Sequence, residues 1–152
     1  MATRNNTTTQ IKRRIVVGLD GSESSKVALL WALELAHALT KKIEVVTVWE
    51  YPMMFGWEAG VFYQWTPEED AKKVLQNTLK ELFGADIPKE ISTSIHRGNP
   101  TIALLDASKG ADLLVVGSRG RGGFTGLLLG SVSAACAERA KCPVLVVHGN
   151  KP

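Results

Sequence analysis

The sequence predicts an α/β protein with a single parallel β-sheet that is covered by helices on both faces. The chain has 152 residues, the length of one ordinary domain, and 45% of them are hydrophobic. Short apolar runs alternate strictly with segments of helical periodicity, in the order β-α-β-α-β-α-β-α-β. No internal repeat or linker divides the chain. Strict alternation of this kind is typical of a parallel sheet with crossover helices.

The first strand, first helix and second strand are predicted between residues 15 and 49. The run Ile15-Val16-Val17-Gly18-Leu19 is apolar and rich in β-branched residues, as expected of a buried strand. Ser22 is a favourable N-cap for a helix from Glu23 to Thr40, in which apolar side chains recur on one wide face. The second strand is predicted from Ile43 to Trp49.

Proline marks the start of the next helix. Thr66 precedes Pro67, so the pair predicts an N-cap followed by proline at the first helical position, and Glu69 completes the pattern of a capping box. Gly84 is the predicted stop. Apolar and polar residues then alternate over 91–96, which indicates a strand with one solvated face near a sheet edge.

The last four elements follow the same alternation. Asn99-Pro100 predicts a second helix start with an N-cap and proline, and this helix is predicted to end at Gly110. A fully apolar strand is predicted from Leu113 to Val116. After a glycine-rich segment, a helix is predicted from Gly130 to Ala140 and the last strand from Val144 to Val147.

The basic residues in excess lie at the N-terminus. The net charge is +3, but residues 1–14 hold four basic residues and no acidic one, so the remainder carries 14 basic against 15 acidic residues. We expect residues 1–12 to form a disordered tail and residues 13–149 to form one domain. The tail alone could contact something acidic. A nearly neutral domain is not expected to bind nucleic acid.

Membrane, secretory and metal-binding classes are not expected. No apolar run reaches the roughly 20 residues of a membrane-spanning helix, and the polar N-terminus lacks a secretory pattern, so we expect a cytoplasmic protein with no membrane partner. Cys136 and Cys142 have neither a CxxC nor a zinc spacing, which favours reduced thiols. The three histidines are scattered, and no metal ligand set is predicted.

The glycine-rich segment after the fourth strand predicts a phosphate site. Six of the 14 glycines fall between Gly117 and Gly130, where the chain leaves a strand and enters a helix. Glycines let backbone N–H groups approach a ligand, and a helix N-terminus offers free donors and a positive dipole end. Ser131 adds a hydroxyl, and Arg119 and Arg121 add charge. The alternative is a mobile glycine loop with no ligand.

The spacing of the glycines distinguishes between phosphate motifs. The segment is neither a Walker A loop nor the dinucleotide fingerprint, because Thr125 stands where the fingerprint needs a third glycine. It reads Gly117-x2-Gly120-x9-Gly130-Ser131, the nucleotide signature of the ATP-binding branch of the universal stress protein family. The sequence resembles that family over residues 13–149. Further matching blocks are 15–22, 98–100, 111–118 and 142–147.

This resemblance implies an open, Rossmann-like sheet of five strands in the order 3-2-1-4-5. Ligands in such sheets bind at the carboxyl ends of the strands, at the point where the strand order reverses. Asp20 is then expected to bind the adenosine half, although a turn or N-cap role is the alternative, and Val48 to pack on the adenine unless it is plain core. The residues implied to bind the nucleotide are Gly18, Leu19, Asp20, Val48, Gly117, Ser118, Arg119, Gly120, Arg121, Gly122, Gly123, Gly130, Ser131 and Val132.

The resemblance implies an ATP-binding regulatory protein with Mg²⁺ held largely by phosphate oxygens and water. No nucleophile–base pair or carboxylate-rich metal site is visible, so ATP hydrolysis is expected to be slow at most. Three alternatives stay open. One is binding of cyclic AMP, the second is an enzyme of a related adenine-nucleotide fold, such as an ATP pyrophosphatase or an electron-transfer flavoprotein-like domain, and the third is a family member that dimerises without nucleotide. The client protein is not indicated.

Two further surfaces are predicted. The last strand, Val144-Leu145-Val146-Val147, is an uncharged edge in the implied sheet order, and the resemblance implies a homodimer in which this strand pairs with its copy. The alternative is an edge covered by the chain terminus. The stretch from Trp49 to Trp65 holds seven of the ten aromatic residues. It could pack beside the sheet, cover the nucleotide cleft as a lid, or bind a partner or second subunit.

Overall fold

The structure is a computed structural model that describes residues 13–51, 66–121, 128–149 and 152. The disorder predicted for residues 1–12, the aromatic residues between 52 and 65, and Gly122 and Gly123 lie outside the described residues. Strands and helices alternate along the chain as predicted: β1 (Arg14–Gly18), α1 (Glu23–Leu39), β2 (Lys42–Trp49), α2 (Pro67–Phe83), β3 (Ile91–Arg97), α3 (Pro100–Ala107), β4 (Leu113–Gly117), α4 (Ser131–Arg139) and β5 (Val144–Val147).

The five strands form one parallel sheet in the order β3-β2-β1-β4-β5, which confirms the predicted fold class. β1 lies in the middle, between β2 and β4, and the chain winds outward from it in both directions. β3 forms one edge, as its alternation of apolar and polar residues predicted. The strand order reverses between β1 and β4, so this sheet has the kind of switch point at which a cleft opens beside two strand ends.

Successive side chains of the central strands enter two separate cores. Helices α1 and α2 cover one face, where Ile15 and Val17 of β1 pack with Val45 of β2 and with Leu29 of α1. Helices α3 and α4 cover the other face. The core on that side joins the strand residues Val16, Val46, Leu114 and Val116 to Leu104 of α3 and Cys136 of α4. Burial raises the pKa of the Cys136 thiol, so this side chain stays protonated at neutral pH and acts as a small apolar group.

Two predicted helix ends differ from the structure. Thr66 is the N-cap of α2, but its side chain makes no capping hydrogen bond, so the capping box with Glu69 is not formed. Three acidic residues in the first turn, Glu68, Glu69 and Asp70, complement the helix dipole there. Helix α3 ends at Ala107, before the predicted Gly110; residues 108–110 form a turn, in which Gly110 has a φ of +72°.

The other helix boundaries agree with their sequence signals. The Ser22 and Asn99 side chains cap α1 and α3 by accepting from backbone N–H groups three residues later, those of Ser25 and Ile102. Gly84 ends α2 with a φ of +64°, a conformation that favours glycine. Within the described residues, no helix is long and apolar enough to cross a membrane.

Candidate functional site

A cavity of about 520 Å³ opens at the carboxyl ends of β1 and β4, at the switch point of the sheet. Its volume lies within the range of small-molecule sites. Three parts of the chain form its walls: the β1–α1 turn, the glycine-rich loop with the start of α4, and an apolar floor. The lining residues are Gly18, Leu19, Asp20, Ser22, Ser25, Val46, Val48, Pro100, Leu104, Val116, Gly117, Arg119, Gly120, Arg121, Leu129, Gly130, Ser131, Val132 and Ser133.

Asp20 brings a carboxylate to one side of the cavity. It lies two residues after the end of β1, and its Oδ1 accepts from the backbone N–H of Ser22 at 2.9 Å and from the Ser22 hydroxyl at 2.6 Å. Aspartate side chains commonly accept from the backbone N–H two residues later in turns of this kind. The second oxygen, Oδ2, accepts from the backbone N–H of Arg121 at 3.2 Å. Asp20 therefore connects the β1–α1 turn with the glycine-rich loop, in addition to facing the cavity.

Gly117, the last residue of β4, lies directly against the start of α1. A Cβ atom on Gly117 would be 2.7 Å from the carbonyl carbon of Ser24 and 2.8 Å from the amide nitrogen of Ser25. Both neighbours are helix backbone, which cannot rotate away. Only glycine fits there without a shift of the strand or helix. The first glycine of the motif thus has a packing reason that is separate from any ligand.

Backbone N–H groups at the start of α4 also line the cavity. Gly130 is the N-cap of α4 and has no side chain to accept from the first-turn amides, while Ser131 and Val132 line the cavity. The Gly130 N–H donates to the carbonyl of Ser118 at 2.7 Å, and the Ser133 hydroxyl donates to the same carbonyl at 3.0 Å. These bonds hold the N-terminus of α4 at the mouth of the cavity, where free amides favour an anion.

The floor of the cavity is apolar. Val46 and Val48 come from alternate positions of β2, Val116 from β4 and Leu104 from α3. Gly18 packs closely on this floor, since a Cβ there would be 3.0 Å from Cδ1 of Leu104. One region of the cavity is therefore suited to a flat apolar group, and the rim above it carries the polar groups of Asp20 and the arginines.

The sequence prediction and the lining agree at most positions. Ser118 differs, because it is buried behind the cavity, where its N–H donates to the carbonyl of Val147 at 2.8 Å and continues the pairing of β4 with β5. Gly122 and Gly123 lie outside the described residues. The residues of the lining that the sequence did not predict are Ser22, Ser25, Val46, Pro100, Leu104, Val116, Leu129 and Ser133.

Charged groups at the rim are few. Arg119, Arg121 and Asp20 are exposed and line the cavity, and no other charged residue does so among those the structure describes. The same parts of the chain hold no group of three or more His, Cys, Asp or Glu side chains placed to bind a metal ion. The cavity thus offers backbone donors, hydroxyls and two cationic side chains beside one carboxylate.

Comparisons with known proteins agree on one family. Residues 12–148 match the model of the universal stress protein family. A universal stress protein of Mycolicibacterium smegmatis is 34% identical over 146 residues, covering 90% of this chain and 48% of the relative. Universal stress protein Rv2623 of Mycobacterium tuberculosis is 33% identical over 147 residues, covering 88% of this chain and 47% of the relative. The chain spans about half the length of these relatives.

Solved structures show the same fold. Universal stress protein UspA from Lactobacillus plantarum superposes with a TM-score of 0.74 at 20% identity, covering 90% of this chain and 97% of the other. A universal stress protein in complex with cAMP has a TM-score of 0.65 at 31% identity, covering 91% of this chain and 98% of the other. A family protein from Arabidopsis thaliana with AMP bound has a TM-score of 0.56 at 24% identity, covering 91% and 92%.

Proposed function

This chain belongs to the universal stress protein family, and we propose that its cavity binds an adenine nucleotide, with ATP as the preferred ligand. In this proposal the protein is a nucleotide-responsive regulatory homodimer of the stress response. The observation that carries the proposal is the convergence of three features on one cavity. Asp20 after β1, the glycines after β4 and the uncapped start of α4 all line it.

The apolar floor is suited to the adenine ring. Val46, Val48, Val116 and Leu104 present aliphatic side chains to the same region, and the ring would cover surface that otherwise faces water. Asp20 stands at the edge of this floor, where a carboxylate can accept from ribose hydroxyls. The Asp20 carboxylate keeps acceptor capacity beyond the bonds described above, since each oxygen can accept more than one hydrogen bond.

The glycine-rich loop and the start of α4 are suited to phosphate. Gly117 and Gly120 let the backbone of the loop come close to a ligand, and the N–H groups of Ser131 and Val132 supply donors at the positive end of α4. Arg119 and Arg121 add cationic groups at the rim. Mg²⁺ would accompany the phosphates, coordinated mainly by phosphate oxygens and water, since the lining offers Asp20 as its one carboxylate among the described residues.

Two adenine nucleotides are candidate ligands for this site. The motif Gly117-x2-Gly120-x9-Gly130-Ser131 provides a loop long enough to wrap a triphosphate, and it is the reason for preferring ATP. Cyclic AMP is the second candidate, because the solved relative that is 31% identical is a complex with cAMP. A protein that dimerises without nucleotide remains as the outcome in which neither ligand binds.

The lining is poorly equipped for hydrolysis. Among its described residues there is no histidine or lysine, and Asp20 is the one group that could act as a general base. Its two oxygens already accept from Ser22 and Arg121. We therefore propose binding as the main activity, with ATP turnover slow at most, so that occupancy of the cavity rather than a product carries the signal.

Titration calorimetry tests the nucleotide proposal. Protein stripped of bound nucleotide is titrated with Mg-ATP, AMP and cyclic AMP, and we expect saturable binding at one site per chain with ATP tightest. Gly120→Asp should weaken Mg-ATP by at least about tenfold, because a carboxylate beside the phosphates costs roughly 1–4 kcal/mol in Coulomb energy. A Cβ at this position already lies 2.9 Å from Oδ2 of Asp20.

The matched control is Gly149→Asp, which adds the same charge at a glycine with no atom within 4 Å of the new Cβ. It should leave the affinity unchanged. Tighter binding of cyclic AMP than of ATP would keep the site and reverse the order of ligands. Absence of heat with all three nucleotides, confirmed by equilibrium dialysis, would reject the nucleotide proposal.

The proposed homodimer forms through β5. This strand pairs with β4 on one side, where the carbonyls of Pro143 and Val147 accept from Leu114 and Ser118, and in a strand the alternate residue Val146 directs its backbone N–H the other way. Sedimentation velocity should give a species of twice the 16.5 kDa chain mass. Val146→Pro removes an outward N–H and should shift this species toward monomer. A monomeric wild-type protein would contradict the dimer.

A further inference from the structure

Side chains of α1 hold the first residues of the glycine-rich loop against the helix. The hydroxyl of Ser24 donates to the backbone carbonyl of Arg119, which is two residues beyond the end of β4. Two residues later along the loop, the N–H of Arg121 donates to Oδ2 of Asp20 at 3.2 Å. The loop is therefore attached to the β1–α1 region at two points, with Gly120 between them.

Ser24 is the principal partner of the Arg119 carbonyl. Ser22 also comes within reach of that carbonyl, but at 3.4 Å, and its hydroxyl already donates to Oδ1 of Asp20 at 2.6 Å. The backbone beside Ser24 is fixed as well, because Gly117 packs on its carbonyl carbon. A hydroxyl on a rigid helical turn thus sets the position of the loop residue next to the motif glycine.

The two attachments differ in their relation to the cavity. Asp20 lines it, whereas Ser24 does not. A ligand hydroxyl that approaches Oδ2 of Asp20 meets the N–H of Arg121 at the same oxygen, so it can replace this bond or share the oxygen with it. Because Ser24 is not part of the lining, a ligand can occupy the cavity without displacing the bond from Ser24 to Arg119.

We propose that Ser24 is a positioning residue, which fixes the base of the glycine-rich loop at Arg119 while the bond between Asp20 and Arg121 is exchanged for a bond to the ligand. Gly120 is then the pivot between a fixed residue and a moving one. The exchange frees the N–H of Arg121 for the phosphates at the moment when Asp20 engages the sugar. This second half rests on the proposed function, and the fixing of the loop by Ser24 does not.

A purely helical role for Ser24 predicts a different behaviour of the loop. Ser24 is the second residue of α1, and alanine has a higher helix propensity than serine. If the hydroxyl did nothing beyond the helix, Ser24→Ala would maintain or raise thermal stability and leave the loop unaffected. If Ser24 positions the loop, the same variant keeps its melting temperature while the loop opens more often.

Hydrogen exchange of the ligand-free protein tests the first half. We expect Ser24→Ala to raise the exchange rate of the Arg121 amide, which donates to Asp20, by about 2- to 10-fold, the effect of one lost side-chain hydrogen bond. Ser24→Thr keeps the hydroxyl and should return the rate to within about twofold of wild type. Ser92→Ala is the matched control, since Ser92 makes a hydroxyl-to-carbonyl bond of 2.9 Å to Ile43 between β3 and β2. Unchanged exchange in Ser24→Ala would overturn the proposal.

Calorimetry with AMP tests whether the fixing of the loop by Ser24 contributes to nucleotide binding. Ser24→Ala should weaken AMP by the same few-fold factor by which its loop exchange rises, because the loop must be ordered again on binding. Faster exchange with unchanged affinity would overturn the role of Ser24 in nucleotide binding, while its fixing of the loop in the free protein would stand. If wild-type protein bound no nucleotide, the proposed function and the ligand exchange at Asp20 would both be rejected, while the exchange rates of the free protein would still decide whether Ser24 fixes the loop.

Discussion

Gly117→Ala is expected to destabilise the protein by about 1–3 kcal/mol and to weaken nucleotide binding in the same variant. The added methyl group would meet the carbonyl carbon of Ser24 at 2.7 Å and the amide nitrogen of Ser25 at 2.8 Å. Neither atom can move without displacing α1, whose Val27, Ala28 and Leu29 are buried against the sheet. Strand and helix must therefore separate slightly, and the cavity between them changes shape.

Urea unfolding of Gly117→Ala beside Gly149→Ala measures this effect. Gly149 has no atom within 4 Å of an added Cβ, so its alanine variant should stay within about 0.5 kcal/mol of wild type. Calorimetry with Mg-ATP on the folded fraction then reports the change in affinity. Equal urea midpoints for Gly117→Ala and Gly149→Ala would contradict the close contact between β4 and α1.

Leu104→Ala is expected to cost about 2–5 kcal/mol of unfolding free energy, the usual range for a buried leucine. Leu104 is 5% exposed and joins α3 to the strands beneath the cavity, where it packs with Val46, Leu114 and Val116. Its removal deletes part of the cavity floor as well as core contacts. The backbone of Gly18 packs directly on Leu104, so the variant also removes that contact. We therefore expect a weaker adenine nucleotide affinity together with the loss of stability.

Ile102→Ala provides the comparison on the same helix. Ile102 is 57% exposed and stands two residues from Leu104, so truncation there should change stability by no more than about 0.5 kcal/mol. Urea midpoints of the two variants separate burial from any general effect of alanine in α3. Equal midpoints would contradict the placement of Leu104 as the contact between α3 and the sheet.

Most of the fold follows from patterns that are local in the sequence. The apolar run at residues 15–19 and the caps at Ser22 and Asn99 specify their elements within a few residues, and the structure has those elements there. The errors fall at helix ends. A capping box depends on whether the Thr66 hydroxyl reaches an amide, which the residue types alone do not decide, and the end of α3 differs by three residues from the predicted glycine stop.

Only part of the candidate site could likewise be predicted from local sequence patterns. Local sequence patterns predicted Gly117, Gly120 and Asp20. The two glycines belong to the spaced motif that ends at Ser131, and Asp20 belongs to the turn after the first strand. Val46 could have been found from the two-residue period of β2, which places it on the same face as Val48. Leu104 and Pro100 could not have been found in this way. Their place in the lining depends on how α3 packs across the sheet, and no short-range pattern specifies that packing.

Contacts between distant segments are the part that the sequence could not predict. Ser24 and Arg119 are 95 residues apart, and nothing in either segment indicates that a hydroxyl of α1 meets a carbonyl of the glycine-rich loop. The same holds for Asp20 and Arg121, which are 101 residues apart. Asp20 was expected to face a ligand; the structure adds that it also holds the loop.

The central claim is that an adenine nucleotide binds in the cavity at the ends of β1 and β4, and backbone amide NMR during a titration with AMP tests it most directly. The claim predicts saturable shifts confined to residues 18–20, 117–121 and 131–133, with the amides of β3 unmoved. Saturable shifts centred on β3 or β5, with the amides around Gly117 and Ser131 unchanged, would contradict it.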